Sequence, residues 1–207
     1  EAERIGAGVT ANTTAKITSQ HGLVYQDLLR KFGEDTARSY YLANQEALGE
    51  YGRLAGRICC DFEIKDNYIY SVDGPEKLDK ELEALSRLGI PGEFVPDLPL
   101  PIATSGAVCF REQGQFHPLK FLKGIAGELN IRERTRALEI AKGKIRTDRG
   151  CIRAEKIIVA THFPVWNRWG LYFLKQYQSR AYALALEGAA SLDGMYLEES
   201  GTGFSFR

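Results

Sequence analysis

The stretch R-A-E-K-I-I-V-A-T-H, residues 153–162, constrains the fold more than any other part of the chain. Two short polar segments, Lys144–Thr147 and Cys151–Arg153, flank a turn at Asp148-Arg149-Gly150 and feed an apolar run, Lys156–Ala160. A strand apolar on both sides belongs in a sheet covered on both faces, as in α/β proteins. Small residues at its carboxyl end, Ala160-Thr161, let a ligand approach the backbone, and cofactors bind at that end of open α/β sheets. Taken alone, the stretch also reads as a core strand followed by a turn.

The remaining pattern alternates helix and strand. Leu23, Leu28 and Leu29 start a short helix, Gly33 breaks it, and Ala37, Tyr40, Tyr41, Asn44, Ala47, Leu48, Tyr51 and Leu54 continue at helical spacing. Residues 60–72 alternate in part and predict a strand pair turning near Asp66-Asn67, with Tyr68 and Tyr70 on one face that serves either as core or as pocket wall. Pro75 opens a helix with Leu78, Leu82, Leu85 and Leu88 on one side, and Gly89 ends it. Four prolines at 91, 96, 99 and 101 keep the next segment extended, and Gly106–Arg111 reads as a strand. His117-Pro118 opens a further helix, with the histidine as a capping or packing residue. Further strands are predicted at Arg136–Ala141, Ser179–Glu187, Met195–Glu198 and Gly203–Phe206.

Composition excludes several classes of function. Lys+Arg and Asp+Glu both total 27, so no long-range field gathers polyanions and nucleic acid is a poor partner. No apolar run approaches the roughly 20 residues of a membrane helix, and none resembles a secretion signal, which points to a soluble cytoplasmic protein. Cys59, Cys60, Cys109 and Cys151 lack paired metal spacing and read as reduced, mostly packed thiols. His21, His117 and His162 are scattered, so no metal site is expected. The chain opens on Glu1-Ala2-Glu3 and closes on F-S-F-R, and both ends look cut.

Glu1 followed by the Gly- and Thr-rich run Arg4–Gly22 has the form of the end of a second strand in a dinucleotide-binding unit, whose acid accepts the ribose hydroxyls. Surface turns use the same residues. Three blocks together, RIGAGVTANTTAKITSQHG, GQFHPLKFLKGIAGEL and the hairpin leading to IIVATHFP, resemble the D-amino-acid oxidase, glycine oxidase and sarcosine oxidase superfamily of FAD-dependent oxidoreductases. The match is especially close to uncharacterised bacterial members, some of which carry an added Rieske iron–sulfur domain.

The resemblance implies a mixed α/β fold: an incomplete Rossmann-like FAD-binding domain, residues 1–55 and 113–165, interleaved with a β-rich substrate domain, residues 56–112 and 166–207. It implies FAD in the intact protein, an amine or amino-acid substrate, and a Rieske domain or another carrier as electron acceptor. Glu1 takes the ribose; Thr13, Thr14 and Ala15 cross the diphosphate and flavin; Lys16 places a cation near the isoalloxazine ring. Ala137 meets the adenine, and Ala160-Thr161 match a second dinucleotide motif that usually reads Ala-Thr-Gly, with His162 replacing the glycine. Lys16 and His21 are the candidates for a catalytic role; Trp166 and Trp169 either close a pocket or anchor a domain crossover, and Arg180 either pairs a substrate carboxylate or is an exposed or structurally paired arginine. A non-catalytic binding module derived from the same fold is the alternative. The opening segment and the run Ile157–Thr161 are expected to converge on one nucleotide cleft. The G-x-G-x-x-G turn is not among these residues, so titrating FAD into this segment alone is expected to give no stoichiometric yellow complex.

Overall fold

A computed structural model describes residues 1–163, 171–200 and 203–207. Its strands are β1 (Lys16–Ile17), β2 (Glu63–Tyr70), β3 (Glu93–Val95), β4 (Ala107–Gln115), β5 (Ala137–Ala141), β6 (Lys144–Thr147), β7 (Gly150–Arg153), β8 (Met195–Glu198) and β9 (Ser205–Phe206). Its helices are α1 (Tyr25–Phe32), α2 (Glu34–Ala55), α3 (Glu76–Leu88) and α4 (Pro118–Ala126). Contacts divide the chain into two compact units, Glu1–Asn12 with Leu129–Ala185 and Thr13–Glu128 with Leu186–Arg207.

The larger unit holds all four helices and a six-stranded sheet in the order β1-β4-β2-β8-β9, with β3 also on β4. β2 and β4 are antiparallel, whereas β8 joins β2 in parallel, Tyr68 opposite Tyr196. Alternation gives β4 two apolar faces. Val108 and Phe110 of β4 pack under α1, α2 and α3 against Tyr25, Ala37, Leu78, Leu85 and Leu88. Tyr70, Ala107 and Tyr196 form a second cluster beneath Leu98, Leu100 and Ile102 of the proline-rich segment. Tyr70 is therefore core, and Tyr68 stacks on Tyr196 with centroids 4.8 Å apart.

The helix boundaries follow local chemistry. Gly33, at φ 82°, separates α1 from α2 in a conformation that a side chain would strain. Gly89, at φ 65°, ends α3 in the left-handed region, and the following Ile90 N–H returns to the Leu85 carbonyl at 2.9 Å. His117 caps α4, its Nδ1 accepting a long 3.5 Å bond from the Lys120 N–H.

The smaller unit carries the antiparallel meander β5-β6-β7. The first residues run along the segment before β5: the Glu1 amine donates to the Arg132 carbonyl at 3.0 Å, and the Thr135 and Arg134 amides donate to the carbonyls of Glu1 and Glu3, each at 2.9 Å.

Three sequence expectations are corrected. Residues 60–72 do not form a hairpin: β2 runs through Asp66-Asn67 with a bulge. There the Asp66 carboxylate accepts from the Glu112 amide and from Arg111, while buried Asn67 donates to Gln20. Lys156–Ala160 is not a strand covered on both faces, and Ile158 is 90% exposed. Ser179–Glu187 is likewise unpaired and exposed. A strand is only half of a ladder, and among the described residues of the smaller unit no further strand pairs with either segment. Trp166 and Trp169 lie outside the described residues.

α1 has no capping side chain of its own. Glu81 of α3, 1% exposed, supplies one from a distance, its carboxylate accepting from the amides of Tyr25 and Gln26, each at 2.8 Å. Burial pushes its carboxyl above the ordinary range, against the pull of those amides. The folded chain then holds this proton to higher pH than the unfolded chain, so this group's contribution to stability falls as pH rises from the ordinary carboxylate value through the raised one. In urea unfolding across that window, Glu81→Gln is expected to remove this component of the pH dependence. Glu81→Ala, which leaves the buried Tyr25 amide and the Gln26 amide without this acceptor, is expected to cost about 1–3 kcal/mol.

Candidate functional site

Lys16 stands in β1, at one end of the strand order. Its Nζ donates to the Tyr196 carbonyl of β8 at 2.8 Å and to Ser205 Oγ of β9 at 2.5 Å, both at the other end. The sheet thus curls until its two ends meet. Arg207, directly after β9, makes a second tie, its Nη1 donating to the Thr14 carbonyl and its Nη2 to the Phe116 carbonyl at 3.0 Å.

The strand registers place Lys16 opposite Gln115 and Gln115 opposite Glu63, so the three side chains form one row across β1, β4 and β2. Neighbouring Gly114 would point a Cβ at Phe62 and at Leu48 of α2, so the row faces away from α2. Gln115 Nε2 donates to Glu63 Oε2 at 2.9 Å, whereas buried Gln115 Oε1 has no donor among the described residues.

Burial, and then the Arg207 charge, lower the Lys16 ammonium to a pKa of about 8. Among the described residues neither cation forms an ion pair with a carboxylate. Burial also lowers the Arg207 guanidinium, and the Glu63 carboxylate pulls it the other way.

The other expected site residues fall as follows. Thr13, Thr14, Ala15 and Lys16 form a continuous run in the larger unit. There Ala15 is buried at φ 46° and donates its amide to Thr13 Oγ1 at 3.2 Å. His21, in the same unit, pairs its Nδ1 with the Tyr40 hydroxyl at 2.8 Å, and burial lowers its pKa. Glu1, Ala137, Ala160 and Thr161 lie in the smaller unit. The Glu1 carboxylate accepts from the Glu3 amide at 3.0 Å, Ala137 begins β5, and Thr161 Oγ1 donates to the Phe163 carbonyl at 2.8 Å. Ala160 and Arg180 are exposed. Sequence reasoning missed Gln115, Ser205 and Arg207; only Arg207 left a trace, as the cation closing an alternating F-S-F-R run.

Among the described residues, no group of three or more His, Cys, Asp or Glu is placed to hold a metal ion, and no helix is long and apolar enough to cross a membrane. The cysteines are free: Cys60 and Cys109 are buried, the latter pushed up to about 11 chiefly by burial, while Cys59 and Cys151 are exposed.

A mixed α/β chain with a curled sheet and helices on one side is a fold shared with solved structures. It matches L-proline dehydrogenase from P. horikoshii with a TM-score of 0.56 at 15% identity, over 74% of this chain and 42% of that one. Glycine oxidase from Geobacillus kaustophilus aligns with a TM-score of 0.55 at 18% identity, over 78% of this chain and 47% of that one. The family model described as FAD dependent oxidoreductase (DAO) matches residues 1–204, and the chain belongs to that family. The putative Rieske 2Fe-2S iron-sulfur protein YhfW of Bacillus subtilis (strain 168) is 36% identical over 95% of this chain. The chain spans 42% of that relative's length.

The lowered Lys16 value carries a sign. Between about 8 and the ordinary 10.5 the folded chain holds fewer protons than the unfolded one, so this group's contribution to stability rises with pH through that window and is flat below it. Urea unfolding between these limits is expected to show the rise in the native chain and its loss in Lys16→Met. A nitrogen-15 NMR titration of Lys16 Nζ checks the value directly.

Proposed function

We propose that the chain forms part of an FAD-dependent oxidoreductase that oxidises an amine or amino acid, and that residues 1–55 and 113–165 serve its flavin domain and 56–112 and 166–207 its substrate domain. The match of the family model over residues 1–204 carries this reading. The residues present suit the cofactor: Thr13 and Thr14 expose their side chains just before a half-buried cation with no acid partner among the described residues.

In this reading the Glu1 carboxylate accepts the ribose hydroxyls, and the hydroxyls of Thr13 and Thr14 face the diphosphate. Ala15, Ala137 and Ala160 keep side chains out of the way where the backbone meets the cofactor, with Thr161 beside them. Bound FAD supplies the acceptor for a hydride from the C–H beside the amine nitrogen, leaving an imine. Lys16 contributes a positive charge in a partly desolvated setting, where it acts more strongly than in water. His21, its basicity lowered by burial, stays neutral at a lower pH than an ordinary imidazole and is the candidate to hold a proton. A Rieske iron–sulfur domain or another carrier is the proposed onward electron acceptor, consistent with the name of the Bacillus subtilis relative. A cytoplasmic location belongs to the same reading.

The test is anaerobic addition of amines and amino acids to the full-length, flavin-loaded protein. Bleaching of the flavin absorbance by at least one of them is expected. Absence of bleaching with every candidate would favour a binding module without redox chemistry.

A further inference from the structure

On the helix side of the sheet, Tyr41, Gln45, Gly49 and Gly52 follow one another at helical spacing along α2. Two cavities, of about 350 and 390 Å³, open between this stripe and the strands, and Gln45 and Glu112 of β4 line both of them. The first is polar, with Tyr41, Glu93 and Arg111 in its wall. The second is apolar, with Gly49 and Gly52 on one side and Phe62 and Ile64 on the other. Ile64 is 58% exposed there, and nothing lies within 4 Å of the place where Gly49 would carry a Cβ.

Charge at the junction of the two cavities is one-sided. Arg111 is shared by Asp66 at 2.6 Å and Glu93 at 2.7 Å. Glu112 is left over: among the described residues no hydrogen bond or ion pair engages its carboxylate. Its backbone sits at φ 54°, sparsely populated for a residue with a side chain, and the Asp66 carboxylate holds it there by accepting the Glu112 N–H at 3.1 Å. Gln45 spends its Nε2 on Ser19 Oγ at 3.2 Å and the Tyr41 hydroxyl at 3.0 Å, so its Oε1 is an acceptor with no donor among the described residues. An ammonium has three donors and no acceptor, and this junction offers acceptors and negative charge beside an apolar hollow.

We propose that the groove binds an organic ammonium, its charged head on Glu112 and Gln45 and its aliphatic or aromatic body over Gly49, Gly52, Phe62 and Ile64. The row through Lys16 faces away from α2, so the groove is a separate site and does not depend on the flavin reading.

The experiment titrates the full-length protein with benzylamine, benzyl alcohol and methylammonium, following the Glu112 amide and Ile64 methyl resonances. Benzylamine is expected to shift both and to bind about fivefold more tightly than benzyl alcohol, which lacks the charge, or methylammonium, which lacks the ring. Glu112→Gln is expected to bring benzylamine down to the level of benzyl alcohol. Gly49→Leu, placed in open space on a helix, keeps the fold and fills the apolar half; it is expected to weaken benzylamine about tenfold and to leave methylammonium unchanged. The proposal is overturned if benzylamine moves neither resonance, if Glu112→Gln binds it as tightly as the native chain, or if either partial analogue binds as tightly as benzylamine. Both reporters line the groove, so none of these outcomes decides whether flavin is bleached, and a failure of bleaching leaves the groove untouched.

Discussion

The larger unit depends on a lysine that reaches from one end of a sheet to the other. An open twisted sheet ends in two strands with unused backbone groups. Here the first strand supplies an ammonium that engages a carbonyl of β8 and a hydroxyl of β9, and the residue after β9 returns a guanidinium to the carbonyls beside β1 and β4. The contacts are few, and they fasten together the two ends of a sheet that strand twist curls. The same burial that lets Lys16 make the tie weakens its hold on its proton, so structure and reactivity at this residue have one physical origin.

Much of the larger unit was legible in the sequence because its signals are local. Leucines three and four apart gave α3, Gly33 and Gly89 marked helix ends, and His117-Pro118 announced α4. Residues 136–153 folded into the expected meander because turn residues and strand pattern agreed, with one register shift between Ala137 and Glu139. The errors have a shared cause. Asp66-Asn67 carries turn residues but is held extended by partners distant in sequence, Arg111, Glu112 and Gln20. Ile157–Ala160 has the composition of a buried strand, but composition cannot provide the neighbours that bury it.

The candidate site was legible only in part. Lys16 was reached through the family resemblance, which implies a cation at that position. Gln115 and Ser205 reach the row through strand register and sheet curvature, and neither is written at any one position of the chain. Glu81 is the same case: its sequence neighbours make it one more acid on a helix, while its role is to close the amino end of another.

The parallel ladder of β2 with β8 joins strands separated by the whole of the smaller unit's main segment. During synthesis β2 and β4 can pair as soon as both have emerged, but the flank of β2 that receives β8 stays open until residues 195–198 follow. Such late, long-range pairing makes folding slow and leaves a strand exposed to the wrong partners while it waits. Newly made chains are thus most prone to aggregate during that interval, which is where a chaperone would have most to protect.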